Sequence, residues 1–229
     1  MTFAGFPPGT IRFLSELALN NDKEWFERHR ERYHTEVRDP AVAFVAEVGS
    51  RLQEHDPDLQ VDLRANGAGS LMRIHRDTRF SADKSPYKSN VSGMWWLGEG
   101  KKTTSPAYGF QVEPDRMRLM GGMFGFLPDA LAAYRTAVDG PLTGPALESI
   151  VASLRADGYK VVGEHYRRVP RGLPADHPRA ELLRFRALYA TPALDLGPGD
   201  IEAPDLVDIV VARLIPTRPL VRWLNDALT

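Results

Sequence analysis

Apolar residues recur at helical spacing through the first fifty residues of the chain. In "TIRFLSELALNN" Ile11, Leu14, Leu17 and Ala18 fall on one stripe, and the paired Asn20 and Asn21 suit a helix end. Asp22 is placed to cap a second helix, "KEWFERHRERYH", in which Trp25, His29 and Tyr33 lie one turn apart. Asp39–Pro40 reads as a cap followed by proline at the first helical position. Ala41, Val45, Val48 and Leu52 then follow at core spacing, and "HDPDLQ" ends the helix.

The period changes in the middle of the chain. "SLMRIHRDTRF" alternates, with Met72, Ile74 and Phe80 on one face and Arg73, His75, Asp77 and Arg79 on the other. "NVSGMWWL" is apolar on both faces, which suits a central strand. "AYGFQV-EPDR-MRLMGG" predicts a hairpin turning at Pro114–Asp115, and the loop "GEGKKTTSP" joins it to the preceding strand.

Helical spacing then returns. Pro128 opens "PDALAAYRTAV", and "GPALESIVASLRADG" carries Leu147, Ile150, Val151 and Leu154 on its stripe, with Gly158 past its end. Pro178 opens "PRAELLRFRAL", and Pro204 and Pro219 open "PDLVDIVVARL" and "PLVRWLNDAL". Helices, then hairpin-connected strands, then helices predict one α+β domain over residues 1–229, with a mainly antiparallel sheet flanked by N-terminal and C-terminal helices.

Composition narrows the function classes. The 229 residues hold 29 Lys and Arg against 30 Asp and Glu, a net charge of −1, so attraction to an anion must be local. There is no cysteine, which removes disulfides, thiolate catalysis and cysteine-bound metals. The opening "MTFAGFPPGT" lacks a basic region and an apolar run, and no apolar window reaches the length of a membrane span. The expectation is a cytoplasmic protein with no membrane association. A basic face for nucleic acid is also lacking beyond one segment and Lys101–Lys102, so no specific nucleic-acid binding is expected.

Several familiar motifs fail. There is no G-x-S-x-G. "GEGKKT" has Trp95 where a phosphate-binding loop needs its first glycine, and Lys102 where it needs Ser or Thr. "GGMFG" matches no dinucleotide fingerprint and reads as a loop needing positive φ. The triplet His75-Arg76-Asp77, joined by His165 or His177, has the residue types of a two-histidine, one-carboxylate iron site. Arg73 and Arg79 flank it on the same face and disfavour a dication, so no metal and no cofactor is expected. The aromatics of "EWF" and "MWW" read as core.

The stretch "RIHRDTRFSADKSPYKSN" concentrates charge. Arg73, Arg76, Arg79, Lys84 and Lys88 face only Asp77 and Asp83. Arginine forks and lysine ammonium groups suit phosphate or carboxylate. Arg76 falls on the apolar face, where a lone charge is costly, so it requires a partner. The competing reading is a scaffold, in which the two aspartates tie the cations into an internal salt-bridge network for architecture or protein contact.

"RDTRFSADKSPYKSN" closely resembles the signature of an uncharacterised family, domain of unknown function 2461, whose pattern is roughly R-I-Y-R-D-x-R-F-S-x-D-K-x-P-Y-K-x-N. The resemblance extends to "FLSELALNNDKEWF", to "GGMF" with Tyr134-Arg135 after it, and to "RVPRGLPADHPRAELL". It implies that Arg73, Arg76, Asp77, Arg79, Phe80 and Ser81 are motif positions. Asp83, Lys84, Pro86, Tyr87, Lys88 and Asn90 are the others it implies. It implies no reaction. The family pattern has tyrosine where this chain has His75, which weakens the iron reading further.

Arg171 and His177 sit in "VPRGLPADHP", ahead of a proline-opened helix whose free amides would add to an anion pocket if they faced the Arg73 segment. A histidine in that position reads first as a cap or packing residue. The expected ligand is therefore a small phosphate- or carboxylate-bearing molecule, held by Arg73, Arg76, Asp77, Arg79, Ser81, Asp83, Lys84, Tyr87 and Lys88 with Arg171 and His177. The sequence identifies neither a reaction nor an oligomeric state.

Overall fold

The computed structural model describes residues 3–79, 81–163 and 165–229. Phe80, expected on the apolar face of the charged segment, lies outside them. The chain runs through helices α1 (Pro8–Leu19), α2 (Lys23–Arg28) and α3 (Arg30–Arg32), a π-helical turn at Tyr33–Arg38, and α4 (Asp39–Gln53). Strands β1 (Leu59–Gln60), β2 (Val91–Leu97), β3 (Ala107–Val112) and β4 (Met117–Met123) follow. Then come α5 (Pro128–Asp139), α6 (Thr143–Ala156), β5 (Tyr159–Val162), α7 (Ala180–Leu183) and β6 (Leu188–Pro192). The chain closes with α8 (Pro198–Ile201), α9 (Leu206–Leu214), a 3-10 turn at Ile215–Thr217, and α10 (Arg218–Leu228). The six strands form an antiparallel sheet in the order β1-β2-β3-β4-β6-β5, so the fold is α+β. Among the described residues no helix is long and apolar enough to cross a membrane.

By its internal contacts the chain divides into two compact units. The first comprises Met1–Trp95, Gly109–Leu119 and Leu194–Ala212. The α4 positions expected in its core, Ala41, Val45, Val48 and Leu52, are all buried. Phe44 from the same helix meets Phe110 edge-on at 4.9 Å, and Trp95 Nε1 donates to the Val45 carbonyl at 2.9 Å. Gly49 sits where a Cβ would come within 2.8 Å of Val61 and 3.0 Å of Trp95 Nε1, so the close approach to α4 requires glycine there. Asp22 caps α2 as expected, accepting from the Trp25 N–H at 2.8 Å.

Two local expectations are corrected. On α1 the buried residues are Thr10, Phe13, Leu14 and Leu17, while Ile11 is half-buried and Ala18 exposed. Asp39 is not a cap. Its backbone is helical, and its N–H donates to the His34 carbonyl, so the π-helical turn continues into α4 without a break. Pro40 brings no N–H to the carbonyl four residues back, that of Glu36. The buried Thr10 hydroxyl donates to that Glu36 carbonyl instead. One contact thus explains both how proline survives inside a long helical run and why α1 turns Thr10 inward.

The second unit comprises Trp96–Tyr108, Met120–Ala193 and Arg213–Thr229. Its core gathers Tyr134 and Val138 of α5, Leu147, Val151 and Leu154 of α6, and Leu220 and Leu224 of α10. Tyr134 donates its hydroxyl to the Leu182 carbonyl at 2.8 Å. The "GG" of "GGMFG" lies inside β4 rather than in a loop. Gly122 has φ of 147°, and a Cβ there would lie 2.4 Å from the Leu188 carbonyl oxygen. The helix expected from Pro178 through Leu188 is only α7, because the chain extends after it. Leu188, Tyr189 and Ala190 pair with β4, and Tyr189–Pro192 pair with β5. Pairing in the sheet overrides the local helical pattern there.

Candidate functional site

The Arg73–Asn90 segment lies in the first unit and is not the regular strand that its alternation predicts. It meets its return arm through two isolated bridges, Leu71 with Gly93 and His75 with Tyr87. Stepping four residues from the first bridge would set His75 opposite Ser89, yet it meets Tyr87, so two extra residues are accommodated between the bridges. Such an insertion bends the ladder and re-aims side chains. Alternation survives in the burial: Ile74 is buried and Met72 and Arg76 half-buried, while Arg73, His75, Asp77 and Arg79 are exposed.

The return arm is anchored from α2 and the turn before it. Asn21 donates to the Tyr87 carbonyl at 2.9 Å and accepts the Tyr87 N–H at 3.0 Å, as a neighbouring strand would. Phe26 stacks on the Tyr87 ring at 4.1 Å. Burial pushes the Tyr87 phenol up from its ordinary value, so the ring serves as an uncharged wedge. Sequence reasoning assigned Asn21 to a helix end and missed this clasp. Its only trace in the sequence is the second of two adjacent asparagines.

The charges divide unequally. Arg79 binds Asp77 at two points, Nε to Oδ1 at 3.0 Å and Nη2 to Oδ2 at 2.7 Å. This fork holds the Asp77 carboxyl well below the usual carboxylate range. Arg76, half-buried, pairs across the turn with Asp83. Asp83 also accepts the Ser85 N–H at 2.9 Å, and that backbone bond is the first cause of its lowered pKa. Lys84 donates to the Thr78 carbonyl at 2.8 Å. Ser81 is half-buried.

Arg73 and Lys88 remain. Among the described residues neither meets a carboxylate within ion-pair distance. Lys88 is half-buried, and its pKa is held below the ordinary lysine value, first by burial and then by Arg73 and Arg76. The segment therefore brings together three cations, Arg73, Arg76 and Lys88, of which, among the described residues, only Arg76 is neutralised.

Arg171 and His177 belong to the second unit. Arg171 is exposed in the loop before α7. His177 is buried with both ring nitrogens engaged: Nδ1 accepts the Arg179 N–H at 3.0 Å, leaving Nε2–H to donate to Asp139 at 3.0 Å. That geometry fixes the tautomer and closes the start of α7. His165 packs on Phe185 at 4.0 Å. Among the described residues no group of three or more His, Asp or Glu side chains is placed to hold a metal ion.

An α+β unit with a cation-rich irregular hairpin is the class that fold and site define. The family model described as conserved hypothetical protein (DUF2461) matches residues 9–223. The chain belongs to that family. No curated protein and no solved structure matches it.

Proposed function

We propose that the chain binds a small phosphate- or carboxylate-bearing molecule at the Arg73–Lys88 hairpin. The observation that carries this reading is Lys88, an ammonium group half-buried beside two guanidiniums with no carboxylate against it among the described residues. A partly desolvated cation among like charges costs free energy, and a bound anion offsets that cost. Arg73 adds an exposed fork for the same anion. Asp77 and Asp83 orient Arg79 and Arg76 and stiffen the turn, as a preformed site requires. A cytoplasmic setting is part of the proposal.

A second reading, an internal salt-bridge lattice for architecture or protein contact, draws on the Arg79–Asp77 and Arg76–Asp83 pairs. Thermal scans with phosphate at matched ionic strength separate the two. Binding raises the midpoint in wild type and not in Arg73→Gln or Lys88→Met, because a ligand specific for the native state stabilises by mass action. The lattice reading gives no phosphate-specific shift.

A further inference from the structure

The segment between β5 and α7 forms, with α7, a cavity of about 450 Å³ within the second unit. Arg167, Arg168 and Arg184 line it. Its apolar wall is Val169, Leu173, Ala175 and Ala180. The volume is that of a small-molecule site, and the lining combines an apolar wall with three arginines, of which Arg167 and Arg168 are exposed and Arg184 half-buried.

Among the described residues no carboxylate pairs with Arg167, Arg168 or Arg184. Glu181 of α7 pairs with Arg155 at 2.5 Å, and Glu148 of α6 with Arg179 at 3.4 Å. The Nε atoms of Arg184 and Arg135 are buried and meet no hydrogen-bond partner among the described residues. Buried polar atoms are nearly always satisfied, so two orphaned guanidinium nitrogens require a reason. They belong to one neighbourhood. Arg135 lies over the Tyr166 ring at 5.1 Å, and the Tyr166 N–H donates to the Arg184 carbonyl at 2.7 Å. Arg186 covers the same ring, also at 5.1 Å. Stacking on Tyr166 gives Arg135 and Arg186 a structural role. It gives none to Arg167, Arg168 and Arg184.

The geometry points to a second anion site, in this cavity, for a small molecule with a dianionic head and a short apolar body. Three guanidiniums exceed what a single carboxylate neutralises, and their planar forks match phosphate and carboxylate oxygens alike. Val169 and Leu173 select for the apolar body over a bare inorganic ion. A phosphomonoester and a dicarboxylate share this chemistry. The site has no residue in common with the Arg73–Lys88 hairpin and does not rest on the reading proposed for it.

Calorimetric titration of the full chain with n-butyl phosphate, glutarate and inorganic phosphate, at matched ionic strength, tests the assignment. The expected result is saturable binding of n-butyl phosphate or glutarate, with inorganic phosphate at least several-fold weaker than n-butyl phosphate. The organic anion that binds more tightly identifies the head group. Arg168→Gln and Arg184→Gln lose tenfold or more in affinity, whereas Arg73→Gln, which alters only the hairpin, keeps it. Arg168 is exposed, so its variant decides the question even if Arg184→Gln folds poorly. The assignment is overturned if neither organic anion binds saturably. It is also overturned if Arg168→Gln binds as well as wild type, or if Arg73→Gln alone abolishes binding.

Discussion

Arg79 grips Asp77 at two points, 3.0 and 2.7 Å, and this pair moves the surplus charge of the hairpin elsewhere. A neutralised guanidinium has little to offer an anion. Arg73 and Lys88 therefore carry the proposed binding, and Arg79 shapes the turn.

The first prediction separates those roles. Arg79→Ala keeps most of the phosphate-dependent rise in melting temperature, while Arg73→Gln and Lys88→Met lose it. Without phosphate, Lys88→Met melts roughly 2–4 °C above wild type, the shift that about 1 kcal/mol produces in a chain of this size. Differential scanning calorimetry with and without phosphate checks both statements. No phosphate-specific rise in wild type would point to a lattice instead.

Lys88 also sets an alkaline pH dependence. Its folded pKa lies below the ordinary value of 10.5, so the unfolded chain holds the proton more tightly. Stability then rises with pH through the window below 10.5 as the folded state sheds that proton more readily. Urea unfolding across this window shows the rise in wild type and a flatter profile in Lys88→Met.

At acid pH the slope has the same sign. Asp77 is held below its ordinary value of 3.8, so its contribution to stability is present above 3.8 and is lost as the pH falls further. Asp77→Asn reduces the acid-side slope of stability against pH and leaves the alkaline rise of Lys88 in place. Acid titrations followed by circular dichroism, wild type against variant, give the comparison.

Thr10→Val tests the contact that lets Pro40 sit in a helix. The variant keeps the buried volume and removes the donor to the Glu36 carbonyl. Leaving that acceptor unsatisfied costs about 1–3 kcal/mol, read from the urea midpoint. A neutral substitution would mean that the carbonyl finds another partner.

How much the sequence disclosed follows from how local each signal is. The Asp22 cap and the buried stripe of α4 depend on residues within two turns, and both were legible. The stripe of α1 was misplaced because Thr10 turns inward to serve Glu36, a residue 26 positions away. β6 hid behind a helical pattern after Pro178, since its conformation is set by pairing with β4 and β5. The charged segment was visible as a cluster, but not which cations would be spared. Pairing of Arg76 with Asp83 depends on the turn, and the position of Tyr87 depends on Asn21 and Phe26 of another element. Arg167, Arg168 and Arg184 stood in plain view without suggesting a cavity, because the segment that closes it has no periodicity.

The central claim, an anion held against Lys88, is tested most directly at the ammonium group itself. The Cε carbon of Lys88 can be followed by ¹³C NMR through a pH titration, its signal assigned by loss in Lys88→Met. Without phosphate it should titrate below the ordinary lysine value of 10.5. Phosphate added at constant ionic strength should raise that pKa, since a bound anion favours the charged form. A Lys88 titration that phosphate leaves unmoved would contradict the account.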